Sequence, residues 1–257
     1  MKFKEQYQYA MIVPSSMGVR LTPIERQPVH TSEMFHLRAT SAETNVLSIS
    51  SGLGLPVKVL TTFVKGSPIA QLIKNDLKRR HIDYEGVEVV QDGPWGYRHQ
   101  FNIADSGYGM RGPRVQNDRA GEVGKTLNLK DFDLDRIFKD EGVQLLHLSG
   151  LIAALSPETG QFCLELAKIA KKHGTKISFD LNHRASFWKD REQELSAIFK
   201  EIASVTDILI GNEEDFQLAL GIHGPEAGGQ NIGDKIDSFK ELIKNVKKEF
   251  PNATTYA

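Results

Sequence analysis

The chain has 257 residues, a net charge of −1 at pH 7, 40% hydrophobic residues and one cysteine. That length fits one large domain, or a core with a small appendage. Near-neutral charge argues against a nucleic-acid binder, which needs a basic face. The single thiol excludes an internal disulfide and a cysteine-rich metal site.

The N-terminus, "MKFKEQYQYAMIV", is too polar for a signal peptide. No run approaches the ~20 apolar residues that span a bilayer. A soluble, cytoplasmic protein with no membrane partner is expected. Core strands are predicted at "AMIV" (10–13) and "VKVLTTF" (57–63), and again at "VQLLHLS" (143–149), "TKISFDL" (175–181) and "DILIG" (207–211). Helical patterns fall at about 43–52, 67–80, 157–173, 190–203, 213–220 and 234–250. Ser156-Pro157 is a helix start, and Gly174 after "KIAKKH" is a matching stop. Cys163 lies on this amphipathic helix and reads as a buried structural thiol. "KNDLKRRH" reads as the solvated end of the helix at 67–80.

Strand and helix alternate, which predicts an α/β fold with a doubly wound, mainly parallel sheet and ligands at the carboxyl ends of its strands. Two segments, about 19–39 and 95–118, carry no helical pattern and read as β-hairpin material, the second turning near Asp105-Ser106-Gly107. Together they form a small β-strand lid. "GIHGPEAGGQNIGD" (221–234) reads as a glycine-rich surface loop, and "PNATTYA" at the end as an incipient strand.

Several short motifs admit two readings. "RAGEVGKTL" (119–127) ends like a phosphate-binding loop, but the glycine required five residues before Gly124 is Arg119, and no buried strand precedes it. In "SFDLNHRASFW" (178–188), Asp180, Asn182 and Arg184 follow a strand end and could meet a ligand. Equally, Asp180 could cap the loop while Arg184 makes a surface pair. Glu213, Glu214 and Asp215 in "LIGNEEDF" suit a helix start through the dipole, or a magnesium ion held through water. In "ATSAETNV" (39–46), the free N–H groups at the helix start could receive an oxyanion or a hydroxyl, or Ser41 and Thr40 could simply be N-caps, with Glu43 and Asn45 solvated. His147 and His183 read as core or rim groups. No dinucleotide fingerprint, zinc-binding histidine pair or hydrolase nucleophile elbow is present.

In combination these motifs resemble the ribokinase-like (PfkB family) carbohydrate kinases, most closely the 2-keto-3-deoxygluconate kinase branch. "HLSGLIAALSPET" (147–159), "KISFDLNHRASFW" (176–188), "ILIGNEEDF" (208–216), "NDRAGEVG" (117–124) and "ATSAETNVLSISSGLGLPVKVLTTFV" (39–64) fall in that family's order. The resemblance implies a ribokinase-like core over 1–257. It implies ATP-dependent phosphoryl transfer, with Mg2+, to a hydroxyl of a sugar or sugar acid. Ser41 and Asn45 match positions that contact sugar hydroxyls, while Arg119 and Arg184 match positions that approach the substrate or its carboxylate. Asn212 and Asp215 match the N-x-x-E motif on the magnesium and nucleotide side, with no direct metal ligand among them. The general-base aspartate and the adenine pocket are expected after Ala257, so the 257-residue chain alone is expected to be inactive. Gly233-Asp234 is only an imitation of the base motif. A homodimer through the lid strands is a further implication.

Departures from the family pattern are Ser15-Ser16 after the first strand, Thr40-Ser41 before the first helix, Lys65-Gly66-Ser67 after the second strand, and Asp215 ending N-x-x-E. They leave open a non-catalytic sugar-binding or regulatory relative.

Overall fold

Eleven strands and eight helices make up the described residues, 1–224 and 236–257, of the computed structural model. In chain order they are β1 (Tyr9–Pro14), β2 (Gly18–Pro23), β3 (Phe35–Thr40), α1 (Ala42–Gly52), β4 (Val57–Val64), α2 (Pro68–Arg79), β5 (Asp83–Val89), β6 (Gln100–Asp105) and β7 (Arg114–Asp118). After them come β8 (Val143–Ser149), α3 (Gly150–Ala153), α4 (Pro157–Lys172), β9 (Lys176–Asp180), α5 (Ala185–Trp188), α6 (Glu192–Val205), β10 (Ile208–Ile210), α7 (Glu213–Leu220), α8 (Ile236–Glu249) and β11 (Thr255–Tyr256). The chain resolves into a terminal unit, Met1–Pro14 with Asn128–Ala257, and a middle unit, Ser15–Leu127.

The terminal unit carries parallel strands in the order β11-β10-β9-β8-β1. Ile12, Val13, Leu146, Leu148, Ile177, Phe179 and Leu209 are all buried. By register all of these but Val13 share one face of the sheet, and the other face buries Val13 together with His147 and Ser178. Ser156 caps α4 by accepting from the Thr159 N–H, with Pro157 in the first turn. Gly174 takes a positive φ of 76° just beyond the helix end, where a side chain would be strained. Cys163 is fully buried on α4.

Asp207, at the entry to β10, ties this unit together. Its carboxylate accepts from Lys171 Nζ at 2.7 Å, Lys176 Nζ at 3.0 Å and the Ile177 N–H at 3.0 Å. Burial opposes its charge, but Lys171, the Ile177 N–H and Lys176 outweigh it and hold the carboxyl below its usual range. Its carbonyl accepts the Thr254 N–H at 2.9 Å and so helps to seat β11 beside β10.

The middle unit has a parallel pair, β4 and β5, and a four-stranded sheet in the order β3-β2-β6-β7. In the latter β2 runs parallel to β6, while β3 and β7 flank them antiparallel. Cross-strand neighbours share side-chain bonds: Arg20 Nε donates to Asn102 Oδ1 at 2.7 Å, and Asn102 Nδ2 to Asn117 Oδ1 at 2.5 Å. Gly107 turns at φ 71° with its N–H on Asp105 Oδ1, at the expected hairpin turn.

The mainly parallel α/β architecture with a small second sheet is the expected one. Three features differ from the sequence reading. β5 was not expected, because "DYEGVEV" alternates polar and apolar residues and contains Gly86; Phe63 and the Thr61 carbonyl press on that glycine, leaving no room for a side chain. The end of α2 is not fully solvated. Arg80 pairs with the buried Asp76 at 2.8 Å and donates to Ser48 Oγ at 2.8 Å and the Thr44 carbonyl at 3.2 Å. The short helices α3 and α5 are single turns that carry no periodic signal. Most of the glycine-rich stretch 221–234, including Gly233-Asp234, lies outside the described residues.

His147, buried on β8, is 3.1 Å from Ser178 Oγ through Nδ1. Burial pushes its pKa down to about 4. A histidine kept neutral in the fold gives stability that is full above its unfolded pKa near 6.5 and is lost as pH falls toward 4. Between pH 7.5 and 5, wild type should lose about 2 kcal/mol more than His147→Gln in urea unfolding, the 1.5 pH units below 6.5 taken at 1.36 kcal/mol each. Parallel losses in the two proteins would remove His147 as the cause.

Candidate functional site

In the middle unit, the expected substrate residues are held by two buried carboxylates. Ser41 is the N-cap of α1: its Oγ accepts the Thr44 N–H at 3.1 Å, leaving the helix to run from Ala42. The same hydroxyl lies 2.6 Å from Ser15 Oγ and donates to Glu43 Oε2 at 3.0 Å. Ser15 also donates to Glu43 Oε2, at 2.8 Å. Glu43 is therefore buried, 1% exposed, which corrects the expectation that it is solvated. The hydroxyls of Ser15 and Ser41 fold it back onto the cap. Asn45, one helical turn beyond Ser41, is exposed as expected.

Arg119 follows β7 and donates from Nη1 to Glu122 Oε1 at 2.7 Å. That oxygen also accepts Ser16 Oγ at 2.5 Å. Consecutive serines thus bond to Ser41 and to Glu122, the partner of Arg119, although 78 residues separate Ser41 from Arg119 in the sequence. Gly124-Lys125-Thr126 sits in a short 3-10 turn, Val123–Thr126, with no long helix behind it, so the phosphate-loop likeness has no structural counterpart.

In the terminal unit, Asn212 and Asp215 form a reciprocal cap at the start of α7. Asn212 Oδ1 accepts the Asp215 N–H at 2.8 Å, and Asp215 Oδ2 accepts the Asn212 N–H at 3.0 Å. The other oxygen of Asp215 accepts the His183 N–H at 2.8 Å. One carboxylate thereby joins the turn after β9 to the helix after β10, placing Arg184 beside a fixed backbone. Arg184 is exposed and donates from Nη1 to the His183 carbonyl at 2.7 Å. Its surface-pair reading finds no ion pair among the described residues. Asn182 turns the chain at φ 38°, a conformation asparagine tolerates, with Nδ2 toward Ser149 Oγ at 3.4 Å. Burial lowers the pKa of His183, against the opposing pull of Asp215 and Glu214. Its ring packs on Trp188 at 4.8 Å.

Sequence reasoning missed the anchors more than the presenting groups. Glu122, between Gly121 and Val123, belongs to no motif, and its one sequence signal is an isolated charge in a tight glycine turn. In the sequence, Ser15 and Ser16 stand out only as departures from the family pattern. No group of three or more metal-ligating side chains occurs among the described residues. Nor is any of their helices long and apolar enough to cross a membrane.

A family model described as pfkB family carbohydrate kinase matches residues 11–252. A 2-dehydro-3-deoxygalactonokinase of Haloferax volcanii is 27% identical over 220 residues, covering 84% of this chain and 65% of the relative. The chain therefore spans just under two thirds of that relative's length. A crystal structure of 2-dehydro-3-deoxygluconokinase from Thermotoga maritima superposes with a TM-score of 0.83 at 22% identity, over 96% of this chain and 71% of that one. A ribokinase II candidate from E. coli, solved with ATP and Mg2+, gives a TM-score of 0.73 at 15% identity, over 94% and 70% of the two chains.

The Asp215 cap generates a prediction. Asp215→Ala should lower unfolding stability by about 1–2 kcal/mol, the loss typical of a helix cap. It should also speed proteolysis in the turn at 181–184, read by mass spectrometry of the fragments. Unchanged stability and cleavage would show that the two turns hold each other without the carboxylate.

Proposed function

Because the chain belongs to the pfkB family of carbohydrate kinases, we propose that it binds the acceptor in ATP- and Mg2+-dependent phosphoryl transfer to a 2-keto-3-deoxy sugar acid. The observation that carries the acid preference is the anchoring of Arg119. Its side chain is 17% exposed and reaches the surface from a wholly buried carboxylate. A planar guanidinium fixed from behind suits bidentate capture of a substrate carboxylate. Arg184, exposed on the turn fixed by Asp215, is proposed as a substrate contact of the terminal unit. Ser41 and Asn45, at the start of α1, are proposed to meet the sugar hydroxyls. The names of the Haloferax and Thermotoga proteins support this substrate class.

ATP and Mg2+ are proposed from the E. coli relative's complex. The first turn of α7 bears Glu213, Glu214 and Asp215, so a phosphate chain could approach only with a cation's charge between. Both Asp215 oxygens already accept backbone N–H groups. Asp215 therefore fits an orienting role, and Glu214 and Asn212, which are exposed, fit contact with a hydrated ion. Bound magnesium would neutralise phosphate charge during transfer to the sugar hydroxyl. The chain's own contribution is to bind and orient the acceptor, so that an aligned hydroxyl replaces a random encounter.

The same reading proposes a homodimer through the strands of the small sheet. Leu37 on β3 and Val115 on β7 are exposed there, and a paired copy would cover them. Sedimentation at micromolar concentration tests it, a clean monomer counting against it.

Titration calorimetry with 2-keto-3-deoxygluconate tests the acid site. Arg119→Ala and Arg184→Ala should each weaken binding by about 1.5–3 kcal/mol, the range of a charge-assisted bond. Unchanged affinity removes the residue from the site. Sugar-dependent ADP release would establish turnover, and binding without turnover would leave a sugar-binding relative.

A further inference from the structure

We propose that Glu122 is a positioning residue for Arg119, and that it selects acidic over neutral sugars by fixing where the guanidinium points. This inference rests on the substrate reading above. Glu122 is 0% exposed, and its Oε1 receives both Arg119 Nη1 and Ser16 Oγ. Its Oε2 has no hydrogen-bond partner among the described residues. A buried charge with one oxygen unsatisfied is a poor stabilising device, since desolvation offsets most of the attraction. What such a pair does supply is orientation.

The backbone around Glu122 is built to hold that carboxylate still. On its N-terminal side, Asp118 pairs with Arg98, whose Nε also donates to the Ala120 carbonyl at 2.7 Å. The Arg98 N–H donates to the Gly121 carbonyl at 2.8 Å, and the Val123 N–H to the Arg98 carbonyl at 2.9 Å. Gly121 adopts a φ of 60° to make this turn. On the other side, Thr62 Oγ1 donates to the Val123 carbonyl at 3.0 Å. Gly124 lies so close to Ser16 that a Cβ there would overlap its side chain. Glu122 is thus pinned from Arg98 and from Thr62, and Ser16 closes on it only because residue 124 lacks a side chain.

This anchor is registered against the start of α1. Ser16 holds Glu122, while its neighbour Ser15 holds Ser41 and Glu43. A shift of Glu122 would therefore move Arg119 relative to the groups proposed to meet the sugar hydroxyls. Charge alone makes the opposite forecast. Removing the negative charge beside Arg119 should strengthen the pull on an anion, whereas losing its orientation should weaken capture. The sign of the effect separates the two.

The test is calorimetry on the full chain with 2-keto-3-deoxygluconate and with its neutral amide. Glu122→Gln should weaken acid binding about tenfold, on the order of 1.4 kcal/mol, and leave amide binding within about twofold. In an Arg119→Ala background the same change should add nothing. The double variant Ser16→Glu/Glu122→Ser, which moves the carboxylate to the other end of the same hydrogen bond, should regain most of the affinity. Should Glu122→Gln not fold, as judged by its melting transition, Glu122→Asp takes its place and should show a smaller loss of the same kind. Acid binding unchanged or tighter in a folded variant overturns the inference and leaves the kinase reading standing. So does equal loss for acid and amide, or no recovery on moving the carboxylate. A wild-type chain that binds neither compound overturns both.

Discussion

A carboxylate taken out of water has to find donors, and in each unit the chain is arranged around that demand. Asp207 gathers two lysines and a backbone N–H from α4 and β9. Asp215 collects N–H groups from two separate turns. Glu43 and Glu122 take the hydroxyls of consecutive serines. Breaking a buried pair on one side costs about 3–5 kcal/mol, because the survivor is left unpaired. Each carboxylate therefore fixes the relative positions of segments far apart in sequence, which apolar contacts alone leave freer to slide.

The division of labour is consistent between the units. In both, one residue is buried and holds, and its neighbour is more exposed and presents. Glu122 holds while Arg119 presents; Asp215 holds while Arg184, one residue beyond the N–H it grips, presents. A site of this kind keeps its geometry without ligand, since the anchors are satisfied by protein groups. Ligand binding then spends less free energy on ordering side chains.

Most of the scaffold was legible in the sequence because its signals are local. β-branched runs such as "VKVLTTF" mark buried strands, and Ser156-Pro157 with Gly174 brackets α4 to within about two residues. Strand β5 escaped because it pairs on one side only and shows polar residues along its length. Ser41, Asn45, Arg119 and Arg184, the residues proposed for the substrate, are picked out by order and resemblance alone. Their anchors are not. Glu43 looks like any acidic residue in a first helical turn, and only the fold brings Ser15, 28 residues earlier, within 2.8 Å. Burial of a charge is a property of the folded chain, and no periodicity announces it.

Cys163 gives α4 a built-in reporter. It is the only thiol in the chain, and it is wholly buried beneath the longest helix. An alkylating reagent can reach it only when α4 lifts from the sheet or the terminal unit opens altogether. Its labelling rate is thus a clock for that opening, read at one atom with no engineered probe. Ligands that tighten the turns at Arg184 and Asn212 can be followed by how far they slow that clock.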